Sequence, residues 1–331
     1  MMLVSRRIGL LERVALPSKF IRTIHLTSSR SSSYSVPHST TGPKIAPRKT
    51  LLDISELYNS KTPISVVTAH DYITSKYAEA AGIDITLVGD SLAMTALGYS
   101  DTNEIPFDEF LYHVKAVNRG NKSSFLVADL PFGSFERSSE QAVSTAIELI
   151  KTGRMHAVKI ECGKDQLESV RKIVDVGIPV MGHVGLTPQR HNALGGFKLQ
   201  GNSTKRALEI YQECLDLQRN GVFSIVLECI PNRLAEFITN NLSIPTIGIG
   251  AGPHCSGQVL VAADILGMNN PDAHKAKFVK QYGSQYNDSV KSYNEFTSDL
   301  QSKAFPLENE HGYKMKKDVF EQFKLEAVKL K

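Results

Sequence analysis

Seven residues stand where chemistry could be done. Asp90 and Ser91 follow the apolar run ITLV (85–88) after a single glycine. Asp129 closes FLVA, Lys159 and Glu161 lie in AVKIE, His183 closes PVMG, and Glu228 closes SIVL. Each has an ordinary explanation. A lone Asp after a strand is usually a turn former or a helix N-cap. Lys159 could point outward, His183 could be a satisfied loop histidine, and Glu228 could pair with an Arg. Jointly they are harder to dismiss. Carboxylates that converge without matching basic residues repel one another, and burying them costs free energy unless a cation is present. None of the cysteines forms a CxxC or a zinc spacing. The expected ion is therefore hard and oxygen-bound. Mg2+ suits one or two carboxylates plus waters and substrate oxygens. Lys159 and His183 beside such a site point to an anionic substrate.

These residues need elements to carry them. From about residue 63, short Val/Ile-rich runs alternate with longer helical patterns. The runs are 64–68, 85–88, 125–128, 157–160, 179–182, 224–227, 245–249 and 259–262. Most do not alternate apolar with polar, which is how strands covered on both faces read. Between them, Phe107, Phe110, Leu111, Val114 and Val117 form a helical stripe that stops at Gly120. Ser138 opens a second helix with a capping-box pattern, and residues 203–221 read as a third. About eight such alternations predict a (β/α)8 TIM barrel, with an open doubly wound sheet as the alternative. In a barrel, catalytic groups stand where the strands end, as these seven do. Gly248–Gly252 could cradle a phosphate, but it lacks the GxGxxG spacing of a dinucleotide loop.

Composition narrows the rest. Among the first 40 residues six are basic and one is acidic, a surplus of +5 against +4 for the whole chain. The body is thus close to neutral and gives no electrostatic argument for nucleic acid. No stretch approaches the roughly 18 apolar residues of a membrane span. Residues 1–45, rich in Arg and Ser and poor in acids, read as a mitochondrial transit segment. Cys162, Cys214, Cys229 and Cys255 read as free, buried thiols. Residues 46–313 form the expected catalytic domain. Residues 314–331 form a helical extension, with Val319, Phe320, Phe323, Ala327 and Val328 at helical spacing, read as a packing rather than a recognition element.

Eight ordered blocks carry a family resemblance: TAHDY (68–72), LVGDSLAM (87–94), ADLPFGS (128–134), VKIECG (158–163), GHVGLTPQ (182–189), GGFKLQG (195–201), LECIP (227–231) and IPTIGIGAG (244–252). Over roughly residues 50 to 313 the chain resembles the ketopantoate hydroxymethyltransferases. That resemblance implies a Mg2+-dependent (β/α)8 enzyme of pantothenate biosynthesis, on the route to coenzyme A. It implies transfer of a hydroxymethyl group from 5,10-methylenetetrahydrofolate to 2-oxoisovalerate (3-methyl-2-oxobutanoate), giving 2-dehydropantoate. It places the metal on Asp90 and Asp129, with Glu161 as an outer ligand acting through water. It places the 2-oxo acid on Asp90, Ser91, Asp129 and Lys159 with His183 nearby, and the base on Glu228. It implies a homo-oligomer, a decamer in many members, and marks no folate-contacting side chain. Three departures stand out: Ala93 where the family commonly has Gly, an altered stretch after Asp264, and the residues beyond about 315. Two rival readings are a Mg2+-dependent 2-oxo-acid barrel related to isocitrate lyase and phosphoenolpyruvate mutase, and a catalytically silent scaffold. The ordered blocks disfavour the first, and joint retention of Asp90, Asp129, Lys159, Glu161 and Glu228 disfavours the second.

Overall fold

The computed structural model describes residues 47–330; the transit-like segment lies outside the described residues. Eight parallel strands close a barrel in chain order: β1 (Ile64–Thr68), β2 (Ile85–Val88), β3 (Phe125–Asp129), β4 (Ala157–Glu161), β5 (Val180–Gly185), β6 (Ser224–Glu228), β7 (Thr246–Ile249) and β8 (Gly257–Leu260). β8 pairs with β1, so the sheet has no edges and the open doubly wound alternative is excluded. Most strand limits lie within one residue of the sequence expectation, and β5 and β8 depart further. β8 starts earlier, because Gly257 and Gln258 continue the ladder onto Ile64 and Ser65. β5 runs on to Gly185, which pairs with Glu228.

The strands do alternate, but both faces are buried, which hides the period from the sequence. Inward positions such as Ile64, Val66, Ile85, Leu87, Phe125, Val127, Ala157, Met181, Val226, Ile247 and Val259 form one core inside the barrel. Outward positions such as Val88, Leu126, Ala128, Val158, Ile160, Val180 and Ile225 join a second core beneath the helices. The helix Leu51–Asn59 adds Ile54 to the inner core. Its N-terminus carries a full capping box from Thr50 and Asp53.

Phe107–Gly120 is helical as its stripe predicts, burying Phe110, Leu111, Val114 and Val117. Ser138 caps the helix Ser139–Lys151 by accepting from Gln141 N, while the Gln141 side chain reaches back to Arg137 N rather than to the cap itself. Ser203 caps Thr204–Arg219 in the same way. The helical ring is uneven. No helix separates β7 from β8, and only the five-residue helix Ala262–Leu266 directly follows β8. On that side Gln258 is exposed and Ser65, Val67 and Leu260 are half-buried. The long helix Gln285–Ser302 and the predicted terminal helix, observed at Lys317–Ala327, both form, yet neither buries a residue.

Candidate active site

Strand register builds the site from the inside out. On β3 to β6 the inward positions change from mostly apolar to ionisable towards the C-terminal end of the strand. β3 runs Phe125, Val127, Asp129, and β4 runs Ala157, Lys159, Glu161. β5 places His183 above Met181, and β6 places Glu228 above Val226. The ladder sets Asp129 beside Lys159 and Glu161 beside His183. Asp90 and Ser91 follow β2 by one glycine and open the short helix Leu92–Thr95. All seven sequence-predicted residues line one cavity of about 160 Å³ at the C-terminal mouth, together with apolar Leu87, Val226, Ile249 and Val259. Lys159 does not point outward; only 6% of it is exposed.

The contacts are short and specific. Lys159 Nζ lies 3.0 Å from Asp129 Oδ1. The other oxygen, Asp129 Oδ2, accepts from Asp90 N at 3.0 Å. Lys159 Nζ also lies 3.3 Å from His183 Nδ1. An ammonium group can only donate, so Nδ1 is the acceptor and the proton of the neutral imidazole belongs on Nε2. Nε2 stands 3.0 Å from Glu228 Oε2. The chain Asp129–Lys159–His183–Glu228 thus crosses the barrel mouth. His183 has its pKa lowered by burial and then by Lys159, against the pull of Glu228, which keeps the ring neutral.

Charge in the cavity is out of balance. Burial, with Asp90 adding to it, pushes the Asp129 carboxyl up to about 7 even though Lys159 pulls the other way. Burial and Asp90 hold Glu161 well above the usual carboxylate range. Burial disfavours the charged form of Lys159, but Asp129, Asp90 and Glu161 outweigh it and hold the ammonium firmly protonated. One lysine is well satisfied, and the carboxylates around it are not.

Sequence reasoning missed Gln189. It lies in the quoted GLTPQ block, but nothing in that block marks it as different from a turn polar residue. In the fold it is buried and touches the ends of three strands and one loop. Its Nε2 donates to Asp90 Oδ2 at 2.7 Å and to Leu130 O at 3.0 Å. Its backbone N donates to Glu161 at 3.1 Å, and its carbonyl accepts from Asn103 Nδ2 at 3.0 Å. One residue therefore orients two of the carboxylates and ties the loop after β5 to the loop after β2. Gly185, where that loop begins, has φ +94, and a Cβ there would lie 2.2 Å from Glu228 O. Only glycine lets β5 leave so close to Glu228. Cys229, just beyond Glu228, adopts φ 47, a left-handed conformation that a side chain adopts at a cost of roughly 1–3 kcal/mol and that clusters at functional sites. All four cysteines are free, but Cys229 and Cys255 are only half-buried, correcting the expectation for those two. Burial pushes the Cys229 thiol up to about 12, so it is no nucleophile at neutral pH.

The donor set fits a hard divalent cation in a particular way. Among the described residues, no three His, Cys, Asp or Glu side chains close around a point to form a cage. The Asp90 N–H donates to Asp129, and Gln189 donates to both Asp90 and Glu161. Two carboxylates, with water and substrate oxygens completing the shell, is the arrangement Mg2+ prefers.

A closed (β/α)8 barrel with an acid–base set at its C-terminal mouth defines a barrel enzyme. Its relatives define it further. The profile of the family "Ketopantoate hydroxymethyltransferase" matches residues 48–308. A 3-methyl-2-oxobutanoate hydroxymethyltransferase of Emericella nidulans is 46% identical over 84% of this chain and 80% of its own length. One from Saccharomyces cerevisiae is 41% identical over 86% and 92%. An Arabidopsis thaliana relative, named as mitochondrial, is 44% identical over 86% and 83%. The chain belongs to the ketopantoate hydroxymethyltransferase family, as its eight sequence blocks imply. Among solved structures, phosphonopyruvate hydrolase with oxalate and Mg2+ aligns at a TM-score of 0.51 and 12% identity, over 85% of this chain and 96% of that one. 2,3-Dimethylmalate lyase, a member of the phosphoenolpyruvate mutase/isocitrate lyase superfamily, aligns at 0.50 and 13%, over 84% and 98%. With them the likeness is one of fold.

The Gln189 clamp gives a direct prediction. Gln189→Met keeps the volume and removes both amide donors. Mn2+ affinity, followed by electron paramagnetic resonance, should fall about 10- to 100-fold, as for other groups that orient metal ligands, with circular dichroism unchanged. Affinity within about twofold of wild type would contradict the clamp.

Proposed function

We propose that this chain transfers a hydroxymethyl group from 5,10-methylenetetrahydrofolate to 3-methyl-2-oxobutanoate, giving 2-dehydropantoate, the first step of pantothenate biosynthesis. The observation that carries the reading is one cavity holding paired carboxylates, a buried lysine and a histidine-supported glutamate. Family membership supports the same reaction.

The roles follow from position. Asp90 and Asp129 would hold Mg2+, with Glu161 as an outer ligand. Bound there, the ion supplies Lewis-acid polarisation of the keto oxygen and so acidifies C3. Support for Mg2+ comes from the donor chemistry and from a structural neighbour that carries Mg2+ with oxalate. Lys159 keeps Asp129 in place and puts positive charge beside the anionic oxo acid. Ser91, on the first turn after β2, faces the same cavity and seats the substrate carboxylate. Leu87, Val226, Ile249 and Val259 offer an apolar wall for the branched carbon end. Glu228 removes the C3 proton, with His183 Nε2 standing 3.0 Å from its carboxylate. The C3 electron pair then forms the new bond to the folate-borne carbon. One water is consumed overall, and tetrahydrofolate is released.

We also place the chain in a homo-oligomer and in mitochondria. Tyr293 and Phe296 on the helix Gln285–Ser302 are 73% and 52% exposed, and β8 and β1 lack a full outer cover. An apolar arm of that kind is what a second copy would bury. Two plant relatives are named as mitochondrial, and residues 1–45 have the composition of a targeting segment.

With Mg2+, 3-methyl-2-oxobutanoate and methylenetetrahydrofolate, the purified wild type should form 2-dehydropantoate. Glu228→Gln should lower hydrogen–deuterium exchange at C3 by at least about 100-fold, the usual worth of a general base, with oxo-acid binding retained. Normal exchange in that variant would move the base elsewhere. By sedimentation, the wild type should run as a multiple of the chain mass, and a Tyr293→Glu/Phe296→Glu double variant at lower mass. A monomeric wild type would refute the oligomer.

A further inference from the structure

One carboxylate at the barrel mouth has no task in the chemistry above. Asp264 lies on the short helix Ala262–Leu266, which the buried Thr68 Oγ1 anchors by accepting from Ala262 N at 2.9 Å. Its side chain lines the same cavity as Glu228 and Asp90. It is half-buried, and among the described residues no hydrogen bond or ion pair reaches its carboxylate. Burial raises its pKa, with Lys275 offsetting part of the effect. A desolvated carboxylate without a donor is costly to keep unless a ligand supplies one.

Its neighbours narrow the ligand. Phe278 lines the same cavity and packs over Gly250, where a Cβ would stand 2.9 Å from the ring. Gly250 itself sits at φ +63, so both the backbone and the ring require glycine there. Phe278 belongs to the stretch HKAKFVKQYG, which departs from the usual family sequence. On that stretch Lys275, Lys277 and Lys280 are exposed. An acceptor carboxylate and an aromatic face therefore line one cavity, and exposed lysines on either side of Phe278 in sequence supply a basic rim.

We propose that Asp264, Phe278 and this lysine rim form the subsite for the folate co-substrate. The N3–H and 2-amino groups of the pterin present two parallel donors, the fork that a carboxylate accepts bidentately. The flat bicycle suits the Phe278 ring. The glutamate tail is anionic and suits the exposed lysines, whereas an inverted tail would meet Asp264 with like charge. In this orientation the one-carbon unit faces the cavity in which Glu228 opens C3. The assignment rests on the proposed reaction and supplies the folate contacts that no motif marks.

The test separates the two substrates. In Asp264→Asn and Asp264→Ala, KM for methylenetetrahydrofolate should rise about tenfold or more, the worth of a charge-assisted hydrogen bond. KM for the oxo acid, and C3 exchange measured without folate, should stay within about twofold. Calorimetric titration with tetrahydrofolate should show the same loss, and Phe278→Ala should weaken binding in the same direction. An unchanged folate KM in both Asp264 variants, or a parallel loss of C3 exchange, would overturn the subsite. A wild type that forms no product would instead overturn the reaction on which it rests.

Discussion

Three carboxylates are buried around one lysine, and the rest of the structure depends on that imbalance. Asp90, Asp129 and Glu161 are each 5% exposed or less. Two unit charges about 4 Å apart interact by about 4 kcal/mol at the effective dielectric of a protein site. Lys159 can answer one such carboxylate, and it does so for Asp129. The remaining negative charge either takes up protons, as the raised Asp129 and Glu161 carboxyls show, or takes up a cation. A site kept in this condition is poised for a divalent ion and an oxygen-rich anion together.

The barrel makes the imbalance possible. Closure fixes neighbouring strand ends in register, so Asp129 meets Lys159 and Glu161 meets His183 without any loop having to fold onto them. The apolar inner layer just below excludes water and raises the stakes of every charge above it. Loops then add the adjustment that strands cannot. Gln189 comes back from beyond β5 to hold Asp90 and Glu161. The left-handed turn at Cys229 ends β6 abruptly and leaves Glu228 at the rim.

Much of this was legible in the sequence, for a physical reason. Strand ends in a barrel are punctuated by a change from apolar to ionisable, and such changes at Asp129, Glu161, His183 and Glu228 survive without coordinates. The family blocks contain the same punctuation. Other features left no local trace. Gln189 acts through contacts to residues 28 and 99 positions away, which no spacing reveals. Asp264 follows a strand whose start was itself placed two residues late, because Gly257 enters the ladder rather than a turn. The terminal helix was legible as a helix, but among the described residues its apolar stripe buries no side chain, so its period predicted structure and not packing.

The central claim is that ion and oxo acid share one site and need each other there. It is tested most directly by calorimetric titration of metal-free protein with Mg2+, with and without 3-methyl-2-oxobutanoate, and by the reciprocal titration. The account predicts positive coupling. The oxo acid should tighten Mg2+ by about tenfold or more, and Mg2+ should tighten the oxo acid by the same factor, as linkage requires. Equal oxo-acid affinity with and without Mg2+ would contradict it.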